Sequence, residues 1–167
     1  MNIKSTAFIG AVCLNLGLFY YETHPKSINT DKFLGFLEAL DFKYKCLEKT
    51  IPKRKYVVYL DRLSVHTCKC TKEYFDENEI EYLFAPVGSP EYNSIEYMFS
   101  ALKRHVKSDR LRDMTNARPK SYDQYIDKAV TKITNEHINN YVNHVLKLFK
   151  ITIWIKPYFF IAFHYFQ

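Results

Sequence analysis

The sequence predicts an α/β domain, a mixed sheet flanked by helices. Three observations carry this. Two short apolar runs, residues 5–13 and 18–23, stand either side of an Asn15-Leu16-Gly17 turn. Residues 56–60 form a continuous apolar run bounded by turn signals, the pattern of a strand buried on both faces. Longer stretches elsewhere repeat their apolar residues at helical spacing.

At 167 residues the chain has the size of one domain with a real core, and 47% hydrophobic with 17% aromatic residues excludes a disordered chain. The formal charge of +6 is unevenly placed: residues 1–96 hold 12 Lys and Arg against 13 Asp and Glu, and residues 97–150 hold 11 against 5. A basic region of this kind suits a polyanion, and it suits solubility equally well. The four cysteines have no paired CxxC spacing and no secretory context, so they read as reduced thiols. His66, Cys68 and Cys70 do not make a zinc site on a helix, where a spacing of two throws side chains to opposite faces.

The two N-terminal runs read as a hairpin. No charged n-region with a cleavage site frames the first run as a signal peptide. Asn29 or Thr30 caps a helix over residues 29–47, with Asp31 in its first turn and Phe33, Leu34, Phe36, Leu37, Leu40, Tyr44 and Leu47 as its apolar stripe. The buried strand 56–60 follows a basic loop and ends at Asp61, where an open α/β sheet gathers its sites. Residues 67–78 read as a polar helix with Cys70, Tyr74 and Phe75 facing inwards, and 81–84 as a short strand.

Pro86 and Pro90 then stiffen a loop into a helix whose buried stripe is Ile95, Met98, Phe99, Leu102 and Val106. Glu96, Ser100, Lys103 and Lys107 share another face. Residues 122–149 carry a second helical pattern whose rhythm slips near Asn135. Residues 151–167 are apolar and aromatic but too short and broken for a membrane span of ~20 residues. That tail reads either as a packed strand or as sequence that never encoded a domain. The expected organisation is an α/β domain over 1–107, a basic helical extension over 108–150 and the tail over 151–167.

Asp61 and Glu96 both stand at element ends, with thirty-four residues between them. Taken singly, Asp61 is a turn residue, and Glu96, three after Asn93, is the second half of a capping box. Taken together, they suit two metal-binding carboxylates beside lysines that face a phosphodiester.

Asp61 with His66, then Ser89-Pro90-Glu91-Tyr92-Asn93-Ser94-Ile95-Glu96 and a basic amphipathic helix, resembles the catalytic core of mariner-type DDE transposases over residues 9–107. The resemblance implies an RNase H-like fold and an Asp, Asp, Glu triad in which Asp61 and Glu96 are the second and third members. It implies two divalent ions, Mg²⁺ or Mn²⁺, held ~4 Å apart for DNA cleavage and strand transfer. Asn93 would brace the helix start and His66 would lie beside the site. Double-stranded DNA, as transposon ends, would be the substrate, a second copy or a full-length transposase the protein partner, and a membrane no partner at all. The location would be the nucleus in a eukaryote, otherwise the cytoplasm or nucleoid.

Three features depart from the family. Its first Asp belongs to a strand upstream of the hairpin, which residues 1–4 do not supply. Arg62 follows Asp61 where Asn is usual, and no helix-turn-helix module precedes the core. The expectation is therefore an N-terminally truncated fragment, its first strand missing and its catalysis incomplete alone. The competing reading is a non-enzymatic DNA-binding remnant that uses Lys103, Lys107, Arg110, Arg112 and Arg118 on phosphates.

Overall fold

The computed structural model describes residues 5–48, 56–116, 120–149 and 158–166. The hairpin forms as β1 (Thr6–Cys13) and β2 (Gly17–Pro25), antiparallel, with a register shift between Ala11 and Val12. Its turn needs left-handed backbone at Asn15 and Gly17, with φ of 65° and 71°, conformations that Asn and Gly adopt most readily. Helix α1 (Thr30–Glu48) follows, and the Asn29 side chain accepts the Lys32 amide at 3.1 Å, as an N-cap does.

Strand β3 (Val57–Leu60) is buried along its whole length and pairs in parallel with β4 (Glu81–Phe84). The helical stretch between them is broken. A single turn, α2 (Ser64–Thr67), is separated from α3 (Lys69–Glu77) by an extended Cys68. The buried Thr71 hydroxyl donates to the Val65 carbonyl at 2.7 Å across that break. The kink turns Cys70 outward to solvent, against its expected inward place, and Thr71 with Phe75 fills the core instead.

A 3₁₀ turn (Pro90–Tyr92) leads into α4 (Ser94–Thr115), whose expected stripe of Ile95, Met98, Phe99, Leu102 and Val106 is buried throughout. The helix runs unbroken past residue 107, where a domain boundary was expected. The rhythm slip near Asn135 is a true interruption between α5 (Tyr122–Val130) and α6 (Asn135–Phe149).

The tail becomes β5 (Tyr158–Phe166), and it lies inside the sheet, whose order is β2-β1-β5-β3-β4. β5 runs antiparallel to β1 and parallel to β3, with Leu60 opposite Ile161. Between the two plausible readings of the tail, the packed strand is the one observed.

Because successive residues of a strand face opposite ways, β1, β3 and β5 feed two cores. Phe8, Val12, Tyr59 and Phe160 pack with α4, α5 and α6 on one face. Ala7, Ile9, Ala11, Val58, Leu60, Phe159 and Ile161 pack with α1 and α3 on the other. Gly10 keeps the first face open where α4 begins, since a Cβ there would meet the Phe8 ring at 2.8 Å and Ile95 Cδ1 at 3.4 Å. Among the described residues no helix is long and apolar enough to cross a membrane.

Candidate active site

β3 delivers Asp61 at its carboxyl end, and α4 delivers Glu96 in its first turn. β3 runs parallel to β4 and to β5, and parallel strands with the helices that follow them open towards one edge. The charge of Asp61 reaches Glu96: burial first, and then Asp61, raises the Glu96 pKa above its ordinary 4.5, while Lys103 on the same helix lowers it. A cation beside Glu96 would offset both burial and the Asp61 charge, which disfavour its ionised form.

Capping does not consume the Glu96 carboxylate. Asn93 is the N-cap of α4, its side chain accepting the Ile95 amide at 3.4 Å. The Asn93 N–H, which a capping box would pair with Glu96, donates instead to the Pro90 carbonyl at 2.9 Å. The expected cap role of Asn93 is present, and the return half of the box is not. Asn93 is also buried, and its amide reaches the Ile161 carbonyl of β5 at 3.5 Å. That contact spans sixty-eight residues, and no local pattern signals it.

Asp61 is held from one side. His66 Nδ1 donates to Asp61 Oδ1 at 2.6 Å and the Leu63 amide donates to the same oxygen at 3.1 Å. Arg62, which stands where the family usually has Asn, turns to β4: its Nε donates to the Ala85 carbonyl at 3.2 Å and its guanidinium lies over the Phe84 ring. Hard oxygen donors with excess negative charge fit Mg²⁺ or Mn²⁺, since Mg²⁺ binds through one or two carboxylates and keeps waters and phosphate oxygens elsewhere. Among the described residues, no group of three or more His, Cys, Asp or Glu gathers as a full cage.

The five basic candidates divide. Lys103 and Lys107 are exposed on α4. Arg110 is engaged with Tyr122, stacking on its ring at 5.0 Å and donating to its hydroxyl. Arg112 is drawn onto Asp109 at 2.7 Å and towards Asp113 at 3.8 Å. Arg118 lies outside the described residues. Sequence reasoning missed Asp109 altogether. Only 2% of its side chain is exposed, and Lys132 and Lys128 of the α5 region reach it at 2.7 and 3.5 Å. Its one local signal was the Arg112 spacing of three; Lys132 lies twenty-three residues away.

The fold is the RNase H-like α/β architecture. It is similar to the catalytic domain of Mos1 mariner transposase, at TM-score 0.56 and 18% identity over 79% of this chain and 63% of that one. The same catalytic domain with raltegravir and Mn matches at TM-score 0.57 and 18% identity, over 79% of this chain and 64% of that one. The Mos1 mariner paired end complex with Mn matches at 0.56 and 17% identity, over 80% of this chain and 39% of that one. The chain thus spans less than two thirds of these proteins' lengths, and at such identity they establish the fold. No curated protein matches. The sequence model for the DDE superfamily endonuclease matches residues 2–117, and the chain belongs to that family.

Proposed function

We propose that this chain is part of the catalytic domain of a DNA-cutting and strand-joining enzyme. Asp61 and Glu96 hold a divalent ion, Mg²⁺ or Mn²⁺, against a DNA phosphodiester. The observation that carries the reading is the placement: Asp61 follows β3, Glu96 stands in the first turn of α4, the charge of Asp61 adds to burial in raising the Glu96 pKa, and Asn93 rather than Glu96 caps the helix. Such an ion supplies Lewis-acid polarisation of a phosphoryl oxygen and activation of the attacking oxygen. The chain's own part is to aim Asp61 and Glu96 at one place and to line the approach with Lys103 and Lys107. The substrate class is duplex DNA, by analogy with the Mos1 paired end and strand transfer complexes, and the site of action follows the DNA, the nucleus in a eukaryotic host.

With two carboxylates, the chain alone binds metal and DNA, and cutting requires a third carboxylate supplied with a second copy or a full-length relative. The test is a Mn²⁺ titration followed by electron paramagnetic resonance, with duplex nicking measured in parallel. Binding lost in Asp61→Asn and in Glu96→Gln supports the reading; unchanged binding in both variants defeats it. The absence of a third gathered ligand among the described residues favours one alternative, a DNA-binding remnant. Duplex affinity indifferent to Mn²⁺ and to Asp61→Asn selects that alternative.

A further inference from the structure

Asp61 is a short side chain at the end of a strand, 34% exposed, with nothing in its own chemistry to fix its rotamer. Its surroundings do so. Among the described residues, the hydrogen bonds to its carboxylate converge on Oδ1, from His66 Nδ1 at 2.6 Å and the Leu63 amide at 3.1 Å. The imidazole cannot follow a moving carboxylate. It is fully buried, its ring centroid lies 4.6 Å from that of Phe33 on α1, and its backbone amide is tied to Leu63 O at 2.9 Å. Nδ1 also lies 3.3 Å from the Asp61 carbonyl oxygen, so one N–H grips both the side chain and the main chain of the same residue.

We infer that His66 is a positioning residue: its Nδ1–H locks Asp61 Oδ1 and so presents Oδ2 to the divalent ion. The inference rests on the metal-site reading above and adds the device that makes the site ready before metal arrives. An ionised carboxylate can only accept, so the tautomer is fixed with the proton on Nδ1. Pre-orienting a ligand removes rotamer entropy that binding otherwise costs. A donor that is not a lysine or arginine does this without placing a permanent cation against the metal, which the turn of Arg62 towards Ala85 also avoids.

A plain packing role for His66 predicts a different order of variants. His66→Phe keeps an aromatic ring against Phe33 and loses the N–H. His66→Asn loses the ring and keeps an amide donor near the place of Nδ1. Positioning predicts that Mn²⁺ affinity falls ~10–100-fold in His66→Phe and recovers most of that loss in His66→Asn, while thermal stability ranks the two the other way. A packing role predicts that both measures rank them alike, and that result overturns the inference.

Nitrogen NMR of the unaltered protein decides the matter if either variant fails to fold: a proton on Nδ1, lost or shifted in Asp61→Ala, supports the lock, and an unprotonated Nδ1 defeats it. Mn²⁺ binding that vanishes in Asp61→Asn but is untouched in His66→Phe removes the positioning role and leaves the metal site standing. No Mn²⁺ binding by the unaltered protein removes both.

Discussion

Asp61 raises the proton affinity of Glu96 from another element of the fold, adding to the larger effect of burial. The sign of the consequence follows from linkage. A carboxyl whose folded pKa lies above its unfolded value favours folding while protonated, and that advantage is lost as pH rises through the folded pKa. Glu96→Gln should therefore raise the melting temperature at neutral pH in metal-free buffer. The gain should shrink as pH falls towards 4.5, the ordinary value for Glu. Thermal melts across that range check it; a constant difference at every pH would mean that the carboxylate's charge is not the cause.

Asp109 runs the opposite way. A hydrogen bond from Lys132 is the main cause that holds its pKa below the ordinary 3.8, so the stability it contributes is present above that value and is lost as pH falls through the folded pKa. Its cations reach solvent more easily than it does, so Asp109→Asn leaves them hydrated and costs about 2 kcal/mol. The network joins α4 to the α5 region, and the loss should appear in urea unfolding at pH 7 and shrink as pH falls below 3.8.

The central strand gives the largest core effect. Phe160 is buried in β5, its ring centroid 5.2 Å from that of Tyr59, within the core formed with α4, α5 and α6. Phe160→Ala should cost ~3–5 kcal/mol, as truncation of a buried Phe does. Unfolding by urea measures it. A cost under ~1 kcal/mol would mean that β5 contributes little to the sheet in solution.

The contrast between α4 and β5 shows what sequence alone conveys. Ile95, Met98, Phe99, Leu102 and Val106 repeat within one helix, so periodicity exposes both the helix and its buried face. The Asp61 and Glu96 positions were legible for a similar reason, each marking the end of a locally patterned element. β5 is apolar and aromatic apart from His164, but its neighbours β1 and β3 are chosen by register across most of the chain, and the tail does not encode that locally. Asn93 to Ile161 and Asp109 to Lys132 are equally non-local contacts. Cys70 was misplaced because the side chain of Thr71 reaches back over a break in the backbone that the residue pattern does not announce.

The basic residues of α4 and its surroundings separate into those free to meet phosphate and those already engaged. Lys103 and Lys107 are exposed along the Glu96 face, whereas Arg110 is committed to Tyr122 and Arg112 to Asp109. A lysine that neutralises a DNA phosphate releases counterions, and its removal lowers the slope of log affinity against log salt by about 0.9. Lys103→Ala and Lys107→Ala should each reduce that slope by about one, leave melting temperature nearly unchanged, and do so on any duplex sequence. Arg110→Ala and Arg112→Ala should instead lower stability, by about 1 kcal/mol each, with little change in the slope. Fluorescence anisotropy on a labelled duplex over a salt series, paired with thermal melts, separates the two groups. If the arginines change the slope as much as the lysines do, the contacts to Tyr122 and Asp109 give way when DNA binds.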